Sequence, residues 1–267
     1  MNGKTVENDV LQHFGGVNKN NLNELLSHPD DLDNAISTVS DSPYVTRDNI
    51  VDYLKAHIHT FSVLNLNIQS INAKFDEFKS LIDDLAIENF YFSAICLQET
   101  WLGENSVDSS LFEIEDYTSI PFNATCSSHG GLLLYLHKNF QYNTRDFYSP
   151  NDYWEGQFLD IFGNGLTKTI TLCNIYRPPR DRNDAIQLFI DDLSRIIDVI
   201  SKESSDKIIV GDFNIDLLNS TRQKFSDYLD VMLNNGLYPK ITLPTRLSDR
   251  RATLIHHIFL YLIKQQY

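Results

Sequence analysis

The sequence predicts a mixed α/β fold of the α+β or layered-sandwich type, in which strands and helices are only partly interleaved. Short apolar and β-branched runs in the middle of the chain follow one another without helices between them. Similar runs near either end alternate with helical patterns. This mixture differs from a regular βαβ array and favours stacked layers of sheets and helices.

Six runs have the length and composition of buried strands, since each is short, apolar or β-branched, and bounded by polar or turn-forming residues. We predict them at 61–67, 92–99, 131–137, 158–163, 169–176 and 207–214. Helices are predicted at 73–90, 183–202 and 221–235. The second helix carries an apolar stripe at the spacing of one helix face, formed by Ile186, Phe189, Ile190, Leu193, Ile196, Ile197 and Ile200.

The chain divides at about residue 58. Residues 1–58 are rich in Asn, Asp, Ser and Thr, and their apolar clusters are short, which predicts a polar leader that is partly helical or mobile. Residues 59–267 carry the strand and helix patterns, and we predict that they form the folded domain.

Composition excludes several classes of protein. The chain has 267 residues, of which 42% are hydrophobic and 22% charged, as in ordinary globular proteins. A net charge of −14 argues against a module that holds nucleic acid by phosphate neutralisation alone, although a bound metal ion would offset that charge locally. No signal peptide or apolar run of about 20 residues is present, so we expect a soluble intracellular protein with reduced cysteines. Cys96 and Cys173 lie in apolar runs and are expected to be buried.

Polar residues stand where four of the predicted strands end, which is where open sheets place their sites. They are Asn65 and Asn67, Glu99, Tyr176, and Asp212 with Asn214. A single residue of this kind is more often a cap or a turn former, but the whole set in this order indicates a site.

These residue types suit metal-assisted hydrolysis of a phosphoester. Glu99 with Asn65 or Asn67 offers the hard oxygen ligands that Mg²⁺ prefers. Asp212 would orient or deprotonate an attacking water, while Asn214 and Tyr176 would donate hydrogen bonds to phosphoryl oxygens.

The runs LNLN, LQETW, NIYRPP, GDFNID and PTR…TLIHHIF, in that order, resemble the endonuclease/exonuclease/phosphatase superfamily. The resemblance covers roughly residues 60–267 and is closest to the apurinic-type endonuclease domain of non-LTR retrotransposons. It implies a four-layered α/β sandwich of the deoxyribonuclease I-like type, and Mg²⁺- or Mn²⁺-dependent cleavage of DNA. It further implies a reverse transcriptase as a partner within the element, and action in the nucleus if the substrate is genomic DNA.

Matching residue by residue, the resemblance implies a metal site at Glu99 and Asn67, phosphate binding by Asn65, Asn67 and Asn214, and catalytic roles for Tyr176, Asp212 and Asn214. His256 stands where the family has an aspartate that supports the catalytic histidine, so this position is degenerate. The family's terminal Ser-Asp-His run is also missing from the sequence. We therefore expect a domain that is truncated, lacks its last strand or strands, and cuts DNA weakly or not at all. His257 is expected to be a structural residue on the strand.

Two other interpretations stay open at this stage. A phosphatase or exonuclease acting on a small phosphoester would need the same missing histidine. A non-catalytic protein-interaction module, or a relic on the same fold, is compatible with the acidic charge.

Overall fold

The computed structural model describes residues 44–45, 47–56, 61–103, 109–123, 130–147, 153–179, 183–218, 223–248 and 251–261. Four α-helices occur in this part of the chain: Arg47–Lys55 (α1), Ile71–Ile87 (α2), Asn183–Ile200 (α3) and Gln223–Asn234 (α4). The strands are Val63–Asn67 (β1), Ala94–Gln98 (β2), Tyr117–Phe122 (β3), Leu132–His137 (β4), Gln141–Thr144 (β5), Glu155–Phe162 (β6), Ile170–Tyr176 (β7), Asp206–Asp212 (β8), Leu237–Pro239 (β9), Arg246–Ser248 (β10), Arg251–Thr253 (β11) and His256–Tyr261 (β12). A short 3₁₀ helix spans Ser109–Phe112.

The strands form two large mixed sheets. The first sheet has the order β1-β2-β4-β3, with β1 and β2 parallel. The second has the order β5-β6-β7-β8-β12-β9, with β7 and β8 parallel and β12 antiparallel to β8. Strands β10 and β11 pair separately as a hairpin.

Alternation along the strands sorts the core into three layers, because successive residues of a strand point to opposite faces. On β2, Ile95 packs with α1 and α2, whereas Cys96 packs between the two sheets. On β7, Cys173 packs with α3 and α4, whereas Leu172 packs between the sheets. The result is the predicted four-layered sandwich of helices, sheet, sheet and helices.

The predicted strands all exist, and their ends differ from the prediction by up to three residues. Cys96 and Cys173 are buried as free thiols, as predicted. The sequence did not reveal β3, because Pro121 interrupts its pattern; the proline is tolerated there because β3 is an edge strand, paired only with β4.

Most of the predicted leader lies outside the described residues. Its described part includes α1, whose Ile50 and Leu54 are 4% and 1% exposed. Both side chains belong to the same hydrophobic cluster as Leu64 of β1 and Ile82 of α2. The region before residue 59 therefore supplies core contacts to the domain.

No helix in the described part of the chain has both the length and the apolar character needed to cross a membrane.

Candidate active site

The predicted site residues come together at one edge of the sandwich. Asn67 ends β1 and Glu99 directly follows β2 in the first sheet. Tyr176 ends β7 and Asp212 ends β8 in the second sheet, where the two are register neighbours. Each pair of strands is parallel, so each sheet brings two carboxyl ends to one edge, and the contact between Asn67 and Asp212 places the two edges together.

The amide of Asn67 joins the two sheets. Its Nδ2 donates to Glu99 Oε1 at 3.0 Å and to Asp212 Oδ2 at 2.8 Å. Its Oδ1 accepts from the backbone N of Gln69 at 3.1 Å, which fixes the orientation of the amide. Two carboxylates from different sheets thus converge on a single nitrogen.

Glu99 is held by an unusual turn. Its φ is 52°, and that of Trp101 is 58°, so both residues lie in the left-handed region. The turn is fixed by backbone hydrogen bonds from Thr100 N to Gly131 O (3.1 Å) and from Trp101 N to Gly130 O (2.9 Å). Strained backbone that neighbouring strands hold in place is typical of functional sites.

Tyr176 is 1% exposed, and Glu99 and Asp212 both lie near its phenol. Burial raises the pKa of the phenol well above its usual value, and the negative charges of Glu99 and Asp212 raise it further. The phenol therefore keeps its proton at neutral pH and is available as a hydrogen-bond donor.

The loop after β8 is clamped by Arg177, a residue that our sequence analysis missed. Arg177 Nε donates to Phe213 O at 2.7 Å, and its Nη2 donates to Asn214 O at 2.8 Å. In return, Asn214 Nδ2 donates to Arg177 O at 2.8 Å, and Asn214 N donates to Asp212 Oδ1 at 3.1 Å. Arg177 is 2% exposed. The signal that could have indicated it is its position directly after the predicted strand, in the run NIYRPP.

His256 lies beside the site, directly opposite Asp212 in the pairing of β12 with β8. Its Nε2 is 3.5 Å from Asp212 Oδ2, and its buried Nδ1 has no hydrogen-bond partner among the described residues. His256 is therefore in direct contact with Asp212, the carboxylate that the sequence analysis expects to orient the attacking water.

His257 is a core residue, as predicted. It is 1% exposed, its Nδ1 lies 2.9 Å from Tyr228 Oη, and its Nε2 lies 3.1 Å from Leu254 O. The ring stacks on Phe213, with centroids 4.9 Å apart.

The predicted phosphate-binding role of Asn65 is not supported by its position, which requires a correction. Asn65 is 1% exposed, and its Oδ1 accepts from Gln98 Nε2 at 2.8 Å. Gln98 Nε2 also donates to Asn174 Oδ1 at 2.7 Å, so these amides form a buried chain between the sheets. Asn65 sits in the middle of β1, and its amide is engaged in this buried chain instead of facing the site.

The donor set fits a hard divalent cation. Glu99 and Asp212 offer carboxylate oxygens, whereas Asn67 turns its Nδ2 towards them and its Oδ1 towards Gln69 N. Mg²⁺ is commonly held by one or two carboxylates together with water and substrate phosphate. Within the described residues, no group of three or more His, Cys, Asp or Glu side chains is arranged to hold a metal.

Fold and site together define a class of protein: a two-sheet α/β sandwich with carboxylates, amides and a buried tyrosine gathered where the strands end. The sequence profile of the Endonuclease/Exonuclease/phosphatase family matches residues 47–254, which is more than half of the chain. The chain belongs to this family.

Solved structures with the same fold support this assignment. An AP endonuclease from Leishmania major is similar at a TM-score of 0.59 and 13% identity, covering 82% of this chain and 84% of that one. The endonuclease domain of TRAS1, a telomere-specific non-LTR retrotransposon, is similar at a TM-score of 0.54 and 15% identity. The match covers 74% of this chain and 82% of that one. The APE2 catalytic domain of Xenopus laevis is similar at a TM-score of 0.56 and 17% identity, and the match covers 74% of this chain and 82% of that one. No curated protein matches the sequence.

Proposed function

We propose that this protein is a divalent-metal-dependent phosphodiester hydrolase of the endonuclease type, acting on DNA. The observation that carries the proposal is the convergence of Glu99 and Asp212, from opposite sheets, on the amide of Asn67. Two carboxylates held this close in a chain of net charge −14 favour a cation between them. AP endonucleases and a retrotransposon endonuclease among the structures of similar fold agree with a DNA substrate.

Each residue then has a distinct role. Glu99 would hold Mg²⁺ or Mn²⁺, and Asn67 would join it as a ligand by turning its Oδ1 away from Gln69 N and towards the ion. The bound ion would offset the negative charge of the substrate phosphate. Asp212 would orient the attacking water and accept its proton. Tyr176, protonated and buried, would donate to a phosphoryl oxygen, and Asn214 would use the second hydrogen of its amide in the same way.

We further propose that hydrolysis is impaired by His256. The imidazole contacts Asp212 at the position where the resemblance expects an aspartate that supports a catalytic histidine. A neutral imidazole cannot give the support that a carboxylate gives, and a protonated one would repel a protonated catalytic histidine, so we expect the activity of this chain to be low.

The origin in a retroelement is part of the proposal. It rests on the runs PTR and TLIHHIF and on the similarity of fold to the TRAS1 domain. A reverse-transcriptase reading frame adjoining this one in genomic DNA would support it, and would make reverse transcriptase the partner and the nucleus the place of action. An adjoining frame of unrelated function would contradict it.

Metal binding is tested first by thermal unfolding. Millimolar Mn²⁺ or Mg²⁺ should raise the melting temperature of the 267-residue chain, since a ligand of the folded state stabilises it by mass action. Glu99→Gln keeps the size of the side chain but removes its charge, and should abolish the increase. Asp83→Asn, which changes an exposed carboxylate on α2, should leave the increase intact. An equal increase in wild type and Glu99→Gln would refute the metal site.

Hydrolysis is tested with supercoiled plasmid DNA. We expect slow Mn²⁺-dependent nicking by the wild type and none by Glu99→Gln, which controls for contaminating nuclease. Metal-dependent stabilisation with no nicking at any protein concentration would instead favour the non-catalytic relic. Rapid nicking by the wild type would refute the impairment attributed to His256.

A further inference from the structure

A second pocket lies at the other end of the first sheet from the candidate active site. Ser62 and Ser93, which directly precede β1 and β2, line this pocket, whereas Asn67 and Glu99 lie at the far ends of those strands. A five-residue strand spans about 17 Å, so the two sites are separate.

The pocket has the size and walls of a small-molecule site. Its volume is about 400 Å³, within the range of about 300–1,000 Å³ that is usual for such sites. Phe90 and Phe92 are buried in its wall, and Tyr91 offers a ring that is 39% exposed. Phe61 and Phe140 add an edge-to-face pair with centroids 5.3 Å apart. The exposed ring of Tyr91 offers a surface on which a flat, ring-containing ligand can stack.

The polar groups of the pocket are uncharged. Amides come from Asn89, Asn139 and Asn164, and no Lys, Arg, Asp or Glu is found among the described residues that line it. Ser62 and Ser93 exchange hydrogen bonds, each backbone N donating to the other's Oγ at 3.2 and 3.1 Å, which fixes one wall. These described residues therefore offer donors and acceptors but no charge to match a phosphate, a carboxylate or an amine.

His137 supplies a donor with a defined tautomer. Its Nδ1 accepts from the backbone N of Asn139 at 3.2 Å, so the proton of the neutral ring is on Nε2. Burial lowers the pKa of this imidazole, outweighing the opposite effect of Asp116, so it is neutral at pH 7. The ring is held edge-on by Tyr91 and Tyr117, at centroid distances of 5.4 and 5.5 Å.

We propose that this pocket binds an uncharged nucleobase, presented by a free nucleoside. A nucleobase is flat, stacks on aromatic rings, and carries donors and acceptors on one edge, which matches the rings, amides and imidazole that line the pocket. The absence of charged groups from the described lining favours a nucleoside over a nucleotide. The proposal does not depend on the proposed nuclease function.

The experiment is a calorimetric and ligand-observed NMR titration of the 267-residue chain with adenosine, guanosine, cytidine and uridine. At least one nucleoside should bind saturably with one-to-one stoichiometry. Its 5′-monophosphate should bind at least several-fold more weakly, because the net charge of −14 repels the phosphate and the lining does not compensate for it. Ribose and N-acetylphenylalaninamide should not bind.

Two variants of exposed lining residues locate the site. Tyr91→Ser removes a stacking ring, and Asn164→Gly removes an amide at a position whose φ of 44° suits glycine. Each should weaken nucleoside binding at least about fivefold while leaving the melting temperature nearly unchanged. Trp101→Ser is the matched control, since it removes a ring of similar exposure beside the candidate active site.

The proposal is overturned if no nucleoside binds, or if both lining variants bind as tightly as wild type. Loss of binding in Trp101→Ser alone would place the nucleoside in the active-site cleft and also overturn it. Equal binding of N-acetylphenylalaninamide would show that the pocket accepts an aromatic side chain without recognising a base, with the same consequence.

Discussion

Two adjacent histidines show that the surroundings of a residue decide its role. His256 and His257 follow one another on β12 and so point to opposite faces. His256 contacts Asp212 at the site, and His257 stacks on Phe213 within the cluster that α3 and α4 cover. The same side chain therefore has a place in the proposed chemistry at one position and a packing role at the next.

Burial lowers the pKa of His257 to about 4, with a smaller contribution in the same direction from His256 and an opposing one from Asp212. The unfolded chain takes up this proton first, near the ordinary value of 6.5, so the contribution to stability is complete above pH 6.5 and falls as pH drops towards 4. The loss over this window should be on the order of 3 kcal/mol.

His257→Gln should remove this part of the pH dependence, because glutamine can bond to Tyr228 and Leu254 without titrating. The measurement is the free energy of unfolding in urea at pH 4.5 and pH 7, for wild type and variant. The difference between the two pH values should be smaller in the variant. An identical difference would mean that other groups, chiefly carboxylates, account for all of it.

At the scale of the element, β8 requires a glycine where it leads into the site, because the φ of Gly211 is 155°. Gly211 pairs with Ile175, and a Cβ built on Gly211 would lie 1.9 Å from the backbone O of Ile175. A side chain at this position would clash with the backbone of β7, so only glycine allows this conformation. The glycine of GDFN is therefore a packing requirement within β8.

Gly211→Ala should destabilise the fold by about 1–3 kcal/mol or more, because the clash is with backbone and not with a flexible side chain. Gly103→Ala is the matched control, since nothing lies within 4 Å of its added Cβ. Chemical denaturation of both variants provides the comparison. Equal stabilities would show that β7 and β8 can separate without cost.

Substitutions in helix α1 can show where the folded domain begins. Leu54 is 1% exposed and packs in the hydrophobic cluster that α1 and α2 form with the first sheet. Leu54→Ala should therefore lower the free energy of unfolding by about 2–5 kcal/mol. Asp52→Ala, on the exposed side of the same helix, should be nearly neutral. If Leu54→Ala were also neutral in urea unfolding, α1 would lie outside the cooperative domain and the predicted boundary at residue 59 would stand.

At the scale of the whole molecule, the buried amide chain links the two sheets behind the site. Gln98 Nε2 donates to Asn65 Oδ1 on β1 and to Asn174 Oδ1 on β7, and all three residues are at most 1% exposed. Asn65 Nδ2 also donates to Gly211 O at 3.4 Å, one residue before Asp212. Polar contacts in an otherwise apolar interface fix how one sheet sits on the other, and hence the spacing of Glu99 and Asp212.

Gln98→Leu should destabilise the protein by about 1–3 kcal/mol for each buried oxygen left without its donor. It should also weaken the metal-dependent rise in melting temperature, because the carboxylates of the two sheets would lose their fixed spacing. Cys96→Ala, a substitution on the same strand within the interface that removes no such hydrogen bond, is the control. Loss of stability with unchanged metal response would limit the amide chain to a structural role.

The sequence by itself determined the fold class, the main strands, and the set of polar residues that gather where strands end, because strand alternation and strand ends are local properties. Asn65 and Asn67 show the limit of such reasoning. They are two residues apart on β1 and share a face, so sequence reasoning predicts the same role for both. In the structure, Asn65 lies deep between the sheets, whereas Asn67 bridges Glu99 and Asp212 at the edge of the sandwich. Only the stacking of the two sheets decides this, because depth within a sandwich depends on residues more than 100 positions away.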